Sequence, residues 1–488
     1  MYKTAVSSTL PLELPAVLQD LNPWWAAPHV VRPQPPAFRR RQVRALVERL
    51  KKPSPLIQIV RGPRQVGKTT AILQIVEDLL ADGVAPAQIF LLRFDLEVLR
   101  ERGLLELIRW YEATILKRPF NEGERPYVFL DEVHKLPRWN EELKHLGEVS
   151  PARVLLTGSS SVLVAKGARE SLAGRVTTTA FPPFGFREVL EAWHPHLVPP
   201  VPPLRFLDLF GGAPDERFVE IARFTATRHH ELAQQLDRYF SRGGYPRLHS
   251  GEVDDDSWCD YLTETVFDRV LGIDIPDLFP VEQPRLLRQL YVSVARRTGQ
   301  EISQVDLANE ANASGLRTNQ PTVGRYLHYL TDALLLRELR RYPIAKSTSA
   351  RLPVKTVLTD LGVRNAIFRG APSLWQSPPD RVGPLVETVV QTVIHDVDIA
   401  LHFYRDRVDP KDRRSAFEEV DFVAERTDGT VLPIEVKFRR TISGDDLATT
   451  RRFVDRFGAP AGYVVSRETT LRDLPLRVIP LCDFLLGF

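Results

Sequence analysis

Short apolar runs alternate with helical spacing in the N-terminal part of the chain. Leu56–Val60 has the pattern of a buried strand and runs directly into a Gly-rich turn, and Thr69–Leu80 follows with the spacing of a helix. Further strands are predicted at Ile89–Phe94, Tyr127–Leu130 and Arg153–Thr157. Strands that alternate with helices indicate a parallel sheet, so this part of the chain is predicted to be an α/β domain.

The pattern turns helical from about residue 204 to residue 345. Two predicted helices, Ile302–Ala311 and Thr322–Leu334, lie on either side of a turn at Ser314-Gly315, and Leu335–Tyr342 then has the pattern of a strand. This order of elements is typical of a winged helix, which would span about 285–345. Beyond residue 346 the alternation returns, with strands predicted near 401–405, 418–425, 431–438 and 461–465.

These changes of pattern predict four segments. The first contains Asn22-Pro23-Trp24-Trp25, whose two indoles are expected to dock on a neighbouring domain. His194–Pro203 is Pro-rich and is the candidate linker. The segments are an N-terminal strap (1–36), an α/β core (37–203), a helical region that includes the winged helix (204–345) and a second α/β domain (346–488).

Composition narrows the class of protein. The chain has 488 residues, of which 43% are hydrophobic and 26% charged, which excludes a disordered, collagen-like or disulfide-scaffold protein. Its two cysteines, Cys259 and Cys482, are far apart and indicate neither a disulfide framework nor a zinc site. The N-terminus lacks the pattern of a signal peptide and no apolar run is long enough to span a bilayer, so we expect a cytoplasmic protein with no membrane partner. The net charge of +3 permits nucleic acid as a partner without demanding it.

The Gly-rich turn carries the strongest chemical signal. It matches the phosphate-loop pattern G-x-x-x-x-G-K-S/T, placed between a strand and a helix. Backbone N–H groups of such a loop surround phosphates, Lys68 would reach the β and γ oxygens, and the Thr69 hydroxyl would ligate Mg²⁺. We therefore predict ATP and Mg²⁺ as cofactors, with GTP as the less common nucleotide. The nucleotide-binding residues would be Gly62, Pro63, Arg64, Gln65, Val66, Gly67, Lys68, Thr69 and Thr70.

An acidic pair follows the predicted strand at 127–130. Asp131 would hold Mg²⁺ through water, and Glu132 would polarise the attacking water, although an Asp-Glu pair in this position can also cap a helix. At the end of the next strand, Thr157 or Ser159 could contact the γ-phosphate or the water, or simply cap the following helix. Arg175 could stabilise transition-state charge in its own chain or in a neighbouring subunit, or pair with a surface carboxylate.

The ordered set of motifs resembles a family of prokaryotic AAA-type ATPases whose C-terminal half is a domain of unknown function. The resemblance implies an AAA ATPase core, a winged helix and a restriction-endonuclease-like C-terminal domain. The residues that carry it are Asn22-Pro23-Trp24-Trp25, Gly62-Pro63-Arg64-Gln65-Val66-Gly67-Lys68-Thr69-Thr70, Asp131-Glu132-Val133-His134-Lys135-Leu136, Thr157-Gly158-Ser159-Ser160, Leu172-Ala173-Gly174-Arg175 and Gly243-Gly244-Tyr245-Pro246.

Two predicted strands of the last segment carry Asp421, Glu435 and Lys437. Strand alternation places Glu435 and Lys437 on one face, and carboxylates that converge beside a lysine can bind Mg²⁺ and position a hydroxide against a phosphodiester. The spacing resembles the PD-(D/E)xK nuclease pattern, with Glu387 as the helix carboxylate and Val420 in place of the proline. The metal ligands would then be Glu387, Asp421 and Glu435. The alternatives are a surface ion pair between strands, or a nuclease-like fold that only binds DNA.

Polar and basic residues mark the predicted winged helix. Recognition helices contact bases and phosphates with residues near their start, and short polar or guanidinium groups suit phosphate contacts, although many winged helices bind only protein. The candidate DNA-binding residues are Thr318, Asn319, Gln320, Thr322 and Arg325 at the second helix, and Arg337, Arg340 and Arg341 on the wing.

Taken together, the motifs favour an ATP-dependent, DNA-acting ATPase. It would remodel or translocate DNA, including branched forms such as a Holliday junction, in repair, recombination or genome defence. A homo-oligomer, ring or dimer, is expected because AAA cores usually complete their sites with a neighbour's arginine. The alternatives are an ATP-regulated, metal-dependent DNA nuclease and a nucleotide-switched signalling ATPase that binds a protein partner.

Overall fold

A parallel sheet forms the centre of the first of two compact units, Met1–Phe181 and Pro182–Phe488. The computed structural model describes residues 13–52, 57–149, 151–158, 174–211, 215–343, 354–394, 398–407 and 416–488. Within the described part of the first unit the sheet has five strands in the order β2-β3-β4-β1-β5, all parallel. They are β1 (Ile57–Arg61), β2 (Ile89–Arg93), β3 (Tyr127–Asp131), β4 (Arg153–Gly158) and β5 (Val176–Ala180).

The prediction of an α/β core with a parallel sheet is therefore confirmed. All five residues of β3 are buried, as expected for a strand without polar–apolar alternation that is covered on both faces. The order of the strands makes β3, β4 and β1 neighbours, so their carboxyl ends lie side by side at one edge of the sheet. The helices of this unit are α1 (Glu13–Leu21), α2 (Arg41–Lys51), α3 (Lys68–Ala81), α4 (Glu97–Arg100), α5 (Leu104–Tyr111) and α6 (Trp139–Val149).

The N-terminal strap covers the edge strand β2. The Asn22 side chain accepts a hydrogen bond from Leu91 N (2.7 Å) and donates one to Leu91 O (3.0 Å). The indole N–H groups of Trp24 and Trp25 both donate to the Ile89 carbonyl, at 3.1 and 2.9 Å. Side chains of the strap thus satisfy backbone groups that an edge strand leaves unpaired. The surface on which the two indoles dock is therefore the α/β core itself.

The second unit contains a larger, mixed sheet. Its described strands number nine, in the order β13-β14-β12-β11-β10-β9-β7-β8-β6. Their bounds are β6 (Glu301–Ile302), β7 (Leu336–Tyr342), β8 (Val354–Leu358), β9 (Ile399–Arg407), β10 (Phe417–Arg426), β11 (Val431–Lys437), β12 (Gly462–Ser466), β13 (Leu471–Asp473) and β14 (Leu476–Pro480).

Helices pack around this sheet. The helices that the structure describes in the second unit are α7 (Phe186–Trp193), α8 (Asp215–Ala226), α9 (His229–Arg242), α10 (Trp258–Leu262), α11 (Ile275–Leu278), α12 (Pro284–Arg296), α13 (Gln304–Ala313), α14 (Gln320–Asp332), α15 (Leu361–Ile367), α16 (Pro379–Val390), α17 (Gly444–Phe457) and α18 (Leu481–Leu486). Of the helices described in either unit, none combines the length and apolar composition that crossing a bilayer requires.

Two of the expected segment boundaries fall inside the second unit. The division expected at 345/346 lies between β7 and β8, which pair antiparallel with Leu336 opposite Leu358. Strand β7 also pairs parallel with β9, so the helical region and the second α/β domain share one sheet. The candidate linker at 194–203 also belongs to this unit, where the Val201 carbonyl accepts a hydrogen bond from Arg187.

The motif Gly243-Gly244-Tyr245-Pro246 closes around a buried carboxylate. Asp360 caps α15 by accepting from Gly362 N (2.7 Å), and its second oxygen accepts from Gly244 N (2.8 Å). Gly243 has φ +72°, and a Cβ there would lie 2.1 Å from Asp360 Oδ1. Burial raises the pKa of Asp360 to about 6, against the lowering effect of the three backbone N–H groups that it accepts from. The motif therefore has a structural role in joining α9 to α15.

Candidate nucleotide site and a second carboxylate cluster

The Gly-rich loop connects the carboxyl end of β1 to the start of α3. Gln65 and Gly67 have positive φ (62° and 91°), so the loop turns sharply before the helix. Gly62 lies so close to the neighbouring backbone that a Cβ would be 2.2 Å from the Phe181 carbonyl oxygen. The buried Lys68 ammonium donates to the carbonyls of Gly62 and Pro63 at 2.8 Å. A loop that opens a helix in this way directs backbone N–H groups toward bound phosphate.

Thr69 and Asp131 lie together at the shared edge of the sheet. The Thr69 hydroxyl donates to Asp131 Oδ2 at 2.7 Å, and the Thr157 hydroxyl donates to the other oxygen. Burial raises the pKa of Asp131, against the lowering effect of the hydrogen bond from Thr157. One hydroxyl and one carboxylate suit Mg²⁺, which takes few protein ligands and is held largely by substrate phosphates. These residues fit the predicted metal, and Thr69 and Asp131 would hold it.

Glu132 follows the end of β3 in an unusual backbone conformation. Its φ is +53°, its N–H donates to Thr157 Oγ1 at 3.1 Å, and its carboxylate lies 3.6 Å from His134 Nε2. A non-glycine residue at positive φ is costly and persists where the surroundings hold it in place. Glu132 is half-buried beside Asp131, and from there its carboxylate would polarise the attacking water, as the sequence predicts.

Thr157 holds the acidic pair in position. Its side chain is fully buried, donates to Asp131 and accepts from the Glu132 amide. The hydroxyl is thus engaged with the acidic pair, and the expected contact with phosphate or water would act through Asp131 and Glu132. Ser159, the other residue proposed for this role, lies outside the described residues.

Replacing Thr157 with valine is expected to lower kcat for ATP hydrolysis about tenfold or more, with little change in nucleotide affinity. Valine keeps the volume but removes both hydrogen bonds, and small displacements of catalytic groups are costly. Steady-state kinetics with titration of a fluorescent nucleotide would separate kcat from binding. Thr157→Ser should restore turnover. A Thr157→Val protein with full kcat would exclude a positioning role.

Arg175 precedes β5 at the end of the sheet remote from the phosphate loop. Ile57 N donates to the Arg175 carbonyl, whereas the loop follows Arg61, which pairs with Ala180. The length of β1 separates the two ends by about 13 Å, which exceeds the reach of an arginine side chain. In this arrangement Arg175 and the phosphate loop of the same chain lie at opposite ends of β1, so the prediction of an arginine finger is retained for a neighbouring subunit.

The second unit brings together the residues predicted for a nuclease-like site. Asp421 lies at a β-bulge, where the pairing of β10 with β9 shifts between Val420 and Val423. Asp421 N donates to Glu435 Oε2 at 3.2 Å, and Glu435 Oε1 accepts from Lys437. Bulges of this kind redirect a side chain and are common near functional sites.

A residue that the sequence analysis did not single out lies at the centre of this cluster. Lys355 on β8 is 1% exposed, and its ammonium lies 2.9 Å from Glu387, 3.2 Å from Glu419 and 3.3 Å from Asp421. A lysine inside the apolar run Val354–Leu358 was the available signal, because a buried charge requires a partner. We refer to Lys355, Glu387, Glu419, Asp421, Glu435 and Lys437 as the carboxylate cluster.

Protonation in the carboxylate cluster follows from burial and close charges. Burial, followed by the charge of Asp421, raises the pKa of Glu435 to about 8. Burial and then Asp421 also raise the pKa of Glu387 well above its usual range, although Lys355 lowers it. Burial lowers the pKa of Lys355, but the surrounding carboxylates outweigh burial and raise it, so this amine is charged.

The residues predicted to contact DNA at the second helix lie at the start of α14. Asn319 caps this helix by accepting from Thr322 N at 3.0 Å, and Gln320 is its first residue. Thr318 N donates to the Asn312 side chain at 2.9 Å. Arg325, one turn further on, is exposed. The start of α14 is therefore fixed by its Asn319 cap, and the exposed guanidinium group of Arg325 lies close to it in sequence.

The arginines expected on the wing lie on strand β7. The Arg337 guanidinium donates to the Ile394 carbonyl at 2.7 Å, and burial lowers its pKa to about 10. These contacts hold the Arg337 guanidinium against its own unit, so the structure does not support the prediction that Arg337 contacts phosphate. Arg341 lies 3.5 Å from Asp406 Oδ1, and Arg340 is exposed.

Comparison with known proteins divides the chain into three parts. Residues 54–190 match a family described as an AAA domain. Residues 233–373 and 382–484 match two families described as domains of unknown function, DUF8612 and DUF4143. Lys355 therefore belongs to the second matched part and the carboxylates around it to the third.

The curated relatives are all described as uncharacterized proteins. One from Haemophilus influenzae is 21% identical over 389 residues, which are 79% of this chain and 84% of that protein. One from Methanocaldococcus jannaschii is 22% identical over 60% of this chain and 58% of its own length. One from Mycobacterium tuberculosis is 26% identical over 68% of this chain and 60% of its own. The chain thus spans less than two thirds of the last two relatives.

Two solved structures match large parts of the chain at low TM-scores. The Walker-type ATPase PABY2304 of Pyrococcus abyssi has a TM-score of 0.39 and 16% identity, and the match covers 70% of this chain and 99% of that chain. The ORC1 protein of Aeropyrum pernix in complex with DNA has a TM-score of 0.30 and 15% identity, with coverage of 71% and 96%. The phosphate loop, the acidic pair and the match of residues 54–190 to an AAA domain together support a nucleotide-hydrolysing AAA-type part of the chain, which is followed by two parts that match domains of unknown function.

Proposed function

We propose that the protein hydrolyses ATP to remodel or translocate DNA, in repair, recombination or genome defence. One observation carries the DNA part of this proposal, namely the arrangement of the elements between residues 284 and 358. They follow the order α12, β6, α13, α14, β7, β8, and the three strands pair antiparallel with β8 between β6 and β7. This order and pairing support a winged helix, in which α14 would be the recognition helix.

The start of α14 has the features of a phosphate-binding helix end. The side-chain caps from Ser303 on α13 and Asn319 on α14 fix where the two helices begin. Arg317 and Arg325 are exposed on either side of the cap of α14. Backbone N–H groups at a helix start, with guanidinium groups beside them, suit phosphate contacts that position a protein on DNA without reading its sequence.

We also propose a PD-(D/E)xK-like fold for the last domain. The support is the convergence of Asp421, Glu435 and Lys437 on the neighbouring strands β10 and β11, next to Glu387 on α16. Within the proposed function this domain grips DNA beside the winged helix. A homo-oligomer would be required if Arg175 acts as a finger on a neighbour's nucleotide.

Steady-state ATP hydrolysis with single-stranded, duplex, forked and four-way DNA tests this proposal. We expect at least one form to stimulate turnover and expect its binding to weaken steeply with salt, because phosphate contacts release counterions.

Arg325→Glu should weaken DNA binding about tenfold or more, because a phosphate contact becomes a repulsion. Arg223→Glu, at an exposed position on α8, is the matched control and should behave as the unmodified protein.

Two negative results together would contradict this proposal. They are a low turnover that no DNA form changes and the absence of salt-sensitive DNA binding. The nucleotide-switched ATPase with a protein partner would then be favoured, since a winged helix can equally bind protein.

A further inference from the structure

The Lys355 side chain supplies a buried positive charge inside the carboxylate cluster. The Lys355 ammonium lies within 3.3 Å of side-chain oxygens of Glu387, Glu419 and Asp421, which come from α16 and β10. Lysine is a compact point charge, and its side chain here is almost completely buried. In a nuclease of the PD-(D/E)xK pattern, Glu387, Asp421 and Glu435 would hold a divalent metal that activates water.

The inner carboxylate oxygens of the cluster are already engaged by donors. Asp421 Oδ1 is bonded to Lys355, and Asp421 Oδ2 accepts from Val436 N at 2.8 Å. Glu435 Oε1 accepts from Lys437, and its Oε2 accepts from Asp421 N. Each of these four oxygens therefore already accepts a hydrogen bond, and a metal bound here would have to compete for them with a buried ammonium group. Among the residues that the structure describes, no set of three or more His, Cys, Asp or Glu side chains is arranged to hold a metal ion.

Lys355 and the carboxylates around it come from two different matched parts of the chain. Lys355 stands on β8, which pairs with β6 and β7 and lies in the part of the chain that matches DUF8612. The carboxylates belong to the part that matches DUF4143. A buried ammonium contributed by one domain to the acidic centre of the next costs desolvation, which only close carboxylates can offset. The contact thus joins the two domains through the same oxygens that a metal would need.

We propose that Lys355 is the permanent cation of the carboxylate cluster, so that the cluster binds no divalent metal and the last domain does not cleave DNA by metal-dependent hydrolysis. The cluster then locks the last domain to the preceding one. This proposal is independent of ATP hydrolysis and of DNA binding, so its failure would leave the proposed function in place.

Binding of Mn²⁺ to the nucleotide-free, full-length protein tests this inference. Free Mn²⁺ can be counted by electron paramagnetic resonance during a titration, and Asp421→Asn identifies ions that depend on the cluster. We expect the unmodified protein and Asp421→Asn to bind the same amount of Mn²⁺. Lys355→Met should bind an additional ion, which the double variant Lys355→Met with Asp421→Asn should lose, because oxygen ligands without a cation attract one.

Lys355→Arg is the matched control, since it keeps the charge and should gain no ion. If Lys355→Met does not fold, the comparison of the unmodified protein with Asp421→Asn still decides the matter. Mn²⁺ bound by the unmodified protein and lost in Asp421→Asn would overturn the inference. So would Mg²⁺-dependent nicking of plasmid DNA that disappears in Asp421→Asn, or a folded Lys355→Met protein that binds no additional ion.

Discussion

Glu132→Gln is expected to lower steady-state ATP hydrolysis by about 10²-fold or more while ATP still binds. The substitution preserves the shape of the side chain but removes the base that would polarise the attacking water, and the loss of such a group typically costs 10²-fold to 10⁴-fold. Glu132 stands beside Asp131, and its backbone is held by the Thr157 hydroxyl, so glutamine should occupy the same position. Phosphate release and nucleotide titration measure the two properties separately.

Two further variants serve as controls for the Glu132→Gln measurement. Glu97→Gln, at an exposed position in the first turn of α4, should hydrolyse ATP as the unmodified protein does. Lys68→Ala should lose nucleotide binding as well as turnover, because its ammonium is the cation of the phosphate loop. Full hydrolysis by Glu132→Gln would show that another residue activates the water.

Gly243→Ala should lower the midpoint of thermal unfolding of the second unit by about 5 °C or more. The added Cβ would lie 2.1 Å from Asp360 Oδ1, and the residue would keep a positive φ that alanine disfavours. Relief of the clash would move the carboxylate away from the N–H groups of Gly244 and Gly362. Differential scanning calorimetry of the full chain would measure the shift.

Gly272→Ala provides the matched control for this measurement. Gly272 has no atom within 4 Å of its ideal Cβ position and does not have a positive φ, so alanine should be accommodated there. Equal unfolding midpoints for the two variants would contradict the role assigned to the contact between Gly243 and Asp360.

Four of the five described strands of the first unit could be predicted because their signals are local, whereas β5 (Val176–Ala180) has no continuous apolar run and was not predicted. The apolar runs at β1, β3 and β4 end within one residue of the predicted limits, since a strand covered on both faces needs a continuous apolar sequence. The convergence of Asp421, Glu435 and Lys437 also followed from local information, namely alternation along two neighbouring strands.

The partners of single polar residues could not be predicted in the same way. Lys355 contacts Glu387 and Asp421, which are 32 and 66 positions away in the sequence, and nothing local identifies such partners. The same holds for Arg337, whose hydrogen bond to the Ile394 carbonyl spans 57 positions. Thr157 was identified as important, but its partners Asp131 and Glu132 depend on the order of the strands.

The contact between the strap and β2 limits how far the chain can be shortened to produce the ATPase domain alone. The match to the AAA family begins at residue 54, so a fragment based on it would lack Asn22, Trp24 and Trp25. The carbonyl of Ile89 and both backbone groups of Leu91 would then lose these partners along an apolar edge strand. Such an edge can pair with the same edge of another molecule and lead to aggregation. A fragment of this protein that keeps the edge of β2 covered must therefore begin at Glu13, the first residue of α1, or earlier.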